Sequence, residues 1–204
     1  MPTTANMEKV NGIVISGAPA VPDAHTLIAT ATSDGSDASL SFTLGLDSLY
    51  DVYEFHFVNI HAETDNVNLT FQVNATDGAD FNDSHITSTF FSAGQTEAGA
   101  YGALGYEADF DQAQGTAYQV IGLYFGDQND ESGSGVMTLY APSSTTYIKN
   151  WTSVIQVVTR DEYTRICYSA GYINDTTAID EISFKMSSGE IQGGEIKMYG
   201  VAKS

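Results

Sequence analysis

From residue 38 onward, apolar and polar side chains alternate along the chain, and short clusters of Gly, Asn, Asp and Ser interrupt the alternation at frequent intervals. Because successive side chains of a strand point to opposite faces, this period of two is typical of an antiparallel all-β domain. YEFHFVNI (53–60) is the clearest segment, with aromatic residues on one face and a glutamate and a histidine on the other. YQVIGLYF (118–125) is apolar on both faces, which predicts a central strand covered on both sides. The other predicted strands are 39–46, 68–73, 135–141, 151–159, 164–172, 178–186 and 194–201.

So many strands in one domain must protect their edges, and the usual solutions are a two-sheet sandwich or a barrel. We predict an antiparallel β-sandwich of jelly-roll type over residues 39–204. Residues 1–38 combine one short apolar run with prolines and small residues. This segment is open to two interpretations, an extended N-terminal arm that ends in a flexible link, or an edge strand with irregular flanks.

The charge pattern restricts the partners that the folded domain can bind. Between Lys9 and Lys149 the chain has no lysine or arginine, although this stretch holds eighteen of the 26 Asp and Glu residues. The formal net charge is −19. Such a surface repels phosphate backbones and anionic lipid headgroups, so nucleic acid and membrane are excluded as main partners.

Cysteine content and the amino terminus bear on where the chain is made. Cys167 is the single cysteine and lies in an alternating apolar run, which predicts a buried, small hydrophobic residue. The opening MPTTANMEKV lacks the basic and apolar regions of a secretory signal. We therefore expect synthesis and folding in a cytoplasm.

Three acidic clusters are candidates for weak Ca²⁺ binding, and the alternative for each is a solvated loop. Alternate acids in EADFD share one side of an extended chain. The loop 126–135 resembles the start of a calcium loop but lacks the glycine and the distal glutamate of that motif. A third cluster lies within 76–83. The candidate ligands in the first two clusters are Glu107, Asp109, Asp111, Asp127, Asn129 and Glu131.

Aromatic residues near the C-terminus are candidates for contact with a ligand or a partner. Tyr168 and Tyr172 share one face of the strand predicted at 164–172, and Tyr163 lies on the other face with Arg165. With Trp151 they could form a platform for sugar rings or an anchor for a protein partner, and the alternative is a role in the core.

Motifs of hydrolytic and nucleotide-dependent enzymes do not occur in the chain. It has no G-x-S-x-G turn, no phosphate-binding glycine loop with its lysine, and no H-E-x-x-H. We therefore predict a protein that is not an enzyme and needs no cofactor.

Three segments carry a resemblance to known proteins. They are YEFHFVNIHAETDNVNLTFQVN (53–74), residues 111–151, and residues 170–204, where FKMSSG and a glycine-bounded hairpin precede the closing IKMYGV. These segments resemble small structural proteins of tailed bacteriophages, especially marine ones. The resemblance implies an all-β virion protein without catalytic residues.

The resemblance and the charge pattern together predict a structural role in a particle. Residues 149–204 hold six of the 7 Lys and Arg residues against seven acids, so this segment is nearly neutral and suits a contact with other subunits. We expect an external capsid decoration or cement protein that forms a homo-oligomer, most simply a trimer, on the major capsid protein. The alternatives are a receptor-binding or carbohydrate-binding module of a tail fibre or tail tip, or a tail adaptor.

Overall fold

The computed structural model describes residues 9–10, 13–14, 24–78, 80–100 and 102–202. These residues form strands and loops with one short 3₁₀ turn, η1 (Ala108–Phe110), so the predicted all-β antiparallel fold is confirmed. No helix in the described ranges is long and apolar enough to cross a membrane. The strands are β1 (Lys9–Val10), β2 (Ile13–Val14), β3 (His25–Thr32), β4 (Leu40–Phe42), β5 (Val52–Ala62), β6 (Val67–Ala75), β7 (Ile86–Thr96), β8 (Gly102–Tyr106), β9 (Ala113–Gly115), β10 (Gln119–Phe125), β11 (Gly133–Tyr140), β12 (Lys149–Val158), β13 (Tyr163–Ile173), β14 (Ile179–Met186) and β15 (Ile191–Val201).

Most of the strands belong to one large antiparallel sheet. Its order is β3-β15-β5-β11-β12-β13-β7-β8, and β9 also pairs with β7. The alternation in β5 sorts side chains as the sequence predicts, because Tyr53, Phe55 and Phe57 are buried while Glu54 and His56 are only half-buried. One face of the large sheet therefore lines the core, and the other face points outward.

A smaller sheet covers the inner face of the large one. Its order is β10-β6-β14-β4, and all its pairs are antiparallel. The chain alternates between the sheets from β4 to β7, so consecutive strands lie in opposite layers. The two layers share one main hydrophobic core that holds most of the buried aliphatic and aromatic side chains.

Phe184 on β14 lies at the centre of this core. Its ring centroid is 5.3 Å from that of Phe55 and 5.1 Å from that of Phe57, both on the large sheet. It also contacts Phe42 and Phe71, its neighbours in the small sheet. A fully buried phenylalanine loses both its transfer free energy and its packing when it is truncated. Phe184 thus joins the two sheets through aromatic contacts with both.

Two of the predicted strands differ from those in the structure. Strand β10, predicted as central, is an edge strand of the small sheet; its ladder is with β6, and its last residue, Phe125, also forms an isolated bridge to Thr159. Register shifts interrupt the pairing of β10 with β6. Such bulges turn successive side chains toward different surroundings, so both faces of the strand can be buried although only one of its edges carries a ladder. The strand predicted at 39–46 is limited to β4, and the positive φ of Gly45 lies in the bend that follows.

The N-terminal segment divides into a described and an undescribed part. Residues 25–32 form β3, an edge strand paired with β15, so the large sheet begins before residue 39. Strands β1 and β2 pair with each other. Half of the segment predicted as an arm, residues 1–8, 11–12 and 15–23, lies outside the described residues.

Replacing Phe184 with alanine is expected to lower the free energy of unfolding by about 3–5 kcal/mol, because the cavity opens between both sheets. Phe91→Ala is the matched control, since that ring is 41% exposed on the outer face. We expect the control to lose less than about 2 kcal/mol. Urea denaturation followed by tryptophan fluorescence would measure both values, and equal losses would contradict the central role of Phe184.

Stability is expected to fall in alkaline solution. Burial raises the pKa of the Cys167 thiol to about 12, from an ordinary value near 9. The folded state therefore keeps this proton after the unfolded state has lost it, so the contribution is complete below pH 9 and is lost as the pH rises toward 12. The expected slope is about 1.4 kcal/mol per pH unit in that window. Urea titrations at several pH values should show a shallower decline for Cys167→Ala, and parallel declines would refute this assignment.

Candidate interaction surface

The outer face of the large sheet contains a broad region without charged side chains. Along β7, β8, β11, β12 and β13, every outward side chain is apolar, or polar and uncharged; we call this region the uncharged face. At the chain-wide frequency of 26 Asp and Glu in 204 residues, about three of the 22 outward positions would be acidic. The outward residues are Thr87, Thr89, Phe91, Ala93, Gln95, Gly102, Leu104, Tyr106, Ser134, Val136, Thr138, Tyr140, Asn150, Thr152, Val154, Gln156, Val158, Thr164, Ile166, Tyr168, Ala170 and Tyr172.

A row of apolar side chains crosses this face from strand to strand. The sheet register places Val136 opposite Val154, Val154 opposite Tyr168, Tyr168 opposite Phe91, and Phe91 opposite Tyr106. The rings of Phe91 and Tyr168 are stacked, with centroids 4.9 Å apart and planes inclined by 11°. Directly opposed residues are the closest side-chain neighbours in a sheet, so these five form a continuous row, which we call the aromatic ridge.

Several side chains of the uncharged face remain open to solvent. The exposed fractions are 40% for Val154, 41% for Phe91, 62% for Tyr106 and 74% for Leu104. Scattered exposed apolar residues are common, but a contiguous exposed apolar patch usually marks an interaction site. The aromatic ridge with its neighbour Leu104 is such a patch.

Charged groups border this face on the neighbouring strands of the sheet. On β5, the Glu54 carboxylate lies 2.9 Å from Nε2 of His56 and 3.1 Å from Nε2 of His25. On β15, the Lys197 ammonium lies 2.6 Å from the Glu195 carboxylate. On the β5 side, the uncharged face is therefore bordered by charged side chains, as the centre of a protein interface is bordered by a polar rim.

The four aromatic residues predicted to contact a ligand or partner divide into three groups. Tyr168 and Tyr172 lie on the uncharged face, and Tyr163 lies half-buried on the opposite side of β13. The prediction for Trp151 is wrong, because this residue faces inward, is 1% exposed and contacts the Phe71 ring at 4.9 Å. Its position in β12 has the opposite parity to Val154, which does reach the surface.

The acids of the first cluster point in different directions. Glu107 accepts a hydrogen bond of 2.6 Å from Ser92 and forms an ion pair of 3.3 Å with Arg165 on the inner side of the large sheet. Asp109 is exposed on η1, and Asp111 accepts a hydrogen bond from Tyr106. Glu107 thus stabilises the fold, and the three carboxylates do not form one ligand set.

The second cluster is also divided. Glu131 is 3% exposed and accepts a hydrogen bond of 2.9 Å from the backbone of Gln128, so it closes its own loop. Asp127 and Asn129 are exposed. In the part of the chain that the structure describes, no three His, Cys, Asp or Glu side chains converge to hold a metal ion.

The sequence predicts only part of the uncharged face. Tyr168 and Tyr172 were identified from their alternation, but Phe91, Leu104, Tyr106, Val136 and Val154 were not. The missing signal is the register between distant strands, which no local pattern contains. Comparisons with protein-family models, with curated proteins and with solved structures found no match.

Replacing Glu107 with glutamine is expected to lower the free energy of unfolding by about 1–3 kcal/mol, because Arg165 would lose its partly buried carboxylate partner. Asp109→Asn is the matched control, and its exposed position predicts a change below about 0.5 kcal/mol. Urea denaturation at neutral pH measures both. Similar effects of the two substitutions would show that the pair with Arg165 has no stabilising role.

Proposed function

We propose that this chain is a structural subunit of a bacteriophage virion, without enzymatic activity, that coats or cements the outside of the capsid. The observation that supports this role is the uncharged face, a surface suited to contact with other protein subunits. The resemblance of three segments to virion proteins supplies the biological setting. The particle would be assembled in the host cytoplasm, and the acidic loops would point away from it.

We propose that the fold is a jelly roll with an inserted hairpin. Counting β4, β5, β6, β7, β8, β10, β13 and β14 as strands one to eight, the small sheet has the order one-eight-three-six. The large sheet has the order two-seven-four-five, with the hairpin β11–β12 between two and seven and with β15 and β3 beyond two. These are the strand orders of an eight-stranded jelly roll, which supports the proposal. The extended N-terminal arm predicted within residues 1–38 is part of this proposal.

Electrostatics explains why docking would use this face. Two subunits of net charge −19 repel each other at most orientations. The uncharged face lets them, or a subunit and the capsid, approach without burying unpaired carboxylates, which would be costly. Five strands spaced by about 4.8 Å span roughly 700 Å². This area is close to the ~800 Å² that each partner buries in a stable complex.

The proposed oligomer is a symmetric homo-oligomer, most simply a trimer. Val154→Glu would place a carboxylate in the middle of the aromatic ridge, and we expect it to abolish association at micromolar concentration while the fold remains intact. Leu44→Glu is the matched control, since Leu44 is 83% exposed and lies outside the uncharged face. Sedimentation velocity and circular dichroism would measure association and folding. An oligomer of unchanged stability in Val154→Glu would refute the role of this face.

The location in the particle separates the proposal from its alternatives. Cryo-electron microscopy of the intact virion should show many copies at icosahedral positions on the head. A few copies at the tail would instead favour a receptor-binding or carbohydrate-binding module or a tail adaptor. Absence of the chain from the particle would refute a virion role altogether.

A further inference from the structure

The outer side of the small sheet carries a cleft that is separate from the uncharged face. Two loops fold over this side, one between β6 and β7 and one between β9 and β10. The side-chain amide of Gln72, fully buried on β6, lies 3.1 Å from the carbonyl of Ser84 in the first loop. The same nitrogen lies 2.9 Å from the carbonyl of Thr116 and 3.3 Å from that of Ala117 in the second. Gln72 therefore holds both loops against the sheet.

Between these loops lies a cleft of about 470 Å³. Its floor is one cross-strand row, in which Val120 and Lys185 are both opposite Thr70. Phe81 from the first loop and Tyr118 from the second both line the cleft, and both residues are partly exposed. The volume lies within the range of small-molecule sites, about 300–1,000 Å³. Polar lining comes from Thr70, Asn82, Thr116 and Ser187.

Lys185 differs from the other basic side chains that the structure describes. Arg160, Arg165 and Lys197 each contact a carboxylate. Lys149 is buried and donates to the carbonyls of Asp175 and Thr177. The Lys185 ammonium lies 4.0 Å from the centre of the Tyr118 ring, and no carboxylate of the described residues pairs with it.

We propose that this cleft binds a carboxylated sugar, the sugar ring against Phe81 and Tyr118 and the carboxylate on Lys185. Aromatic side chains provide apolar surface for the C–H groups of a sugar ring. Hydroxyl and amide groups fix the orientation of a bound ligand. An ammonium gives a carboxylate a charge-assisted hydrogen bond, which is roughly twice as strong as a neutral one.

The surrounding charges predict which end of the cleft holds the carboxylate. Asp80 accepts two hydrogen bonds from Asn82, at 3.0 and 3.2 Å, and so places negative charge beside the part of the cleft that Asn82 lines. The sugar carboxylate is therefore expected at the Lys185 end. Because the whole protein repels anions over long distances, moderate salt should screen that repulsion more than the short contact with Lys185.

Binding is tested with cellobiouronic acid as the probe, cellobiose as the neutral comparison and acetate as the simple anion. Titration of ¹⁵N-labelled protein should give saturable shifts for the uronic acid at residues of the cleft. Cellobiose and acetate should each bind at least about tenfold more weakly, a difference of about 1.4 kcal/mol. Equal binding of acetate would overturn the sugar assignment, and equal binding of cellobiose would overturn the role of the carboxylate.

Lys185→Gln is expected to weaken binding of the uronic acid at least about tenfold, and Tyr118→Ala to weaken binding of both disaccharides. The matched control is Lys197→Gln, which removes a cation from the other sheet and should leave the affinity unchanged. Proton spectra of each variant establish that it is folded. Unchanged affinity in Lys185→Gln, or no saturable shifts in the wild type, would overturn the proposal. The cleft and the uncharged face lie on opposite sheets, so either proposal can fail alone.

Discussion

The aromatic contacts of Phe184 with both sheets are the interaction on which the rest of the structure depends. Ion pairs cannot fill this role, because about two thirds of the chain, from residue 10 to residue 148, contains no lysine or arginine. Cohesion must then come from backbone ladders and from the packing of apolar side chains. Phe184 contacts Phe55 and Phe57 on the large sheet, and Phe71, its neighbour in the small sheet, contacts Trp151 on the large one. Since the sheets meet through this core, carboxylates are confined to loops, rims and outer faces.

The outer faces of the two sheets differ in whether loops of the chain cover them. On the small sheet, the outward Thr70, Gln72 and Asn74 are buried, because loops of the same chain cover them. On the large sheet, no segment of the described residues covers Phe91 or Val154, which stay 41% and 40% exposed. Solvation alone would leave the polar face exposed and would cover the face with apolar side chains, and the structure shows the reverse arrangement. This contrast is the physical reason to expect a protein partner on the large sheet.

Local pattern was enough to predict the strands that have one strictly apolar face, such as β5 and β6. It failed for β7, where Ser88, Ser92 and Gly94 share the inward face with Ile86 and Phe90, so no apolar alternation is visible. It also failed for Trp151, because alternation separates the two faces of a strand without saying which one is inside. The uncharged face and the cleft depend on register between strands far apart in sequence. Residues 91 and 168, for example, are neighbours only through the pairing of β7 with β13.

The uncharged face and the contacts that join the two sheets rest on different side chains. Beneath the stacked Phe91 and Tyr168 lies a second, smaller core of Phe90, Cys167 and Leu123, separate from the main one. Phe90 and Cys167 are the chain neighbours of the stacked rings, and their side chains point to the opposite face of the large sheet. Phe184 belongs to the main core and makes no ring contact with this pair. Substitutions on the uncharged face can therefore leave the contacts that join the two sheets intact.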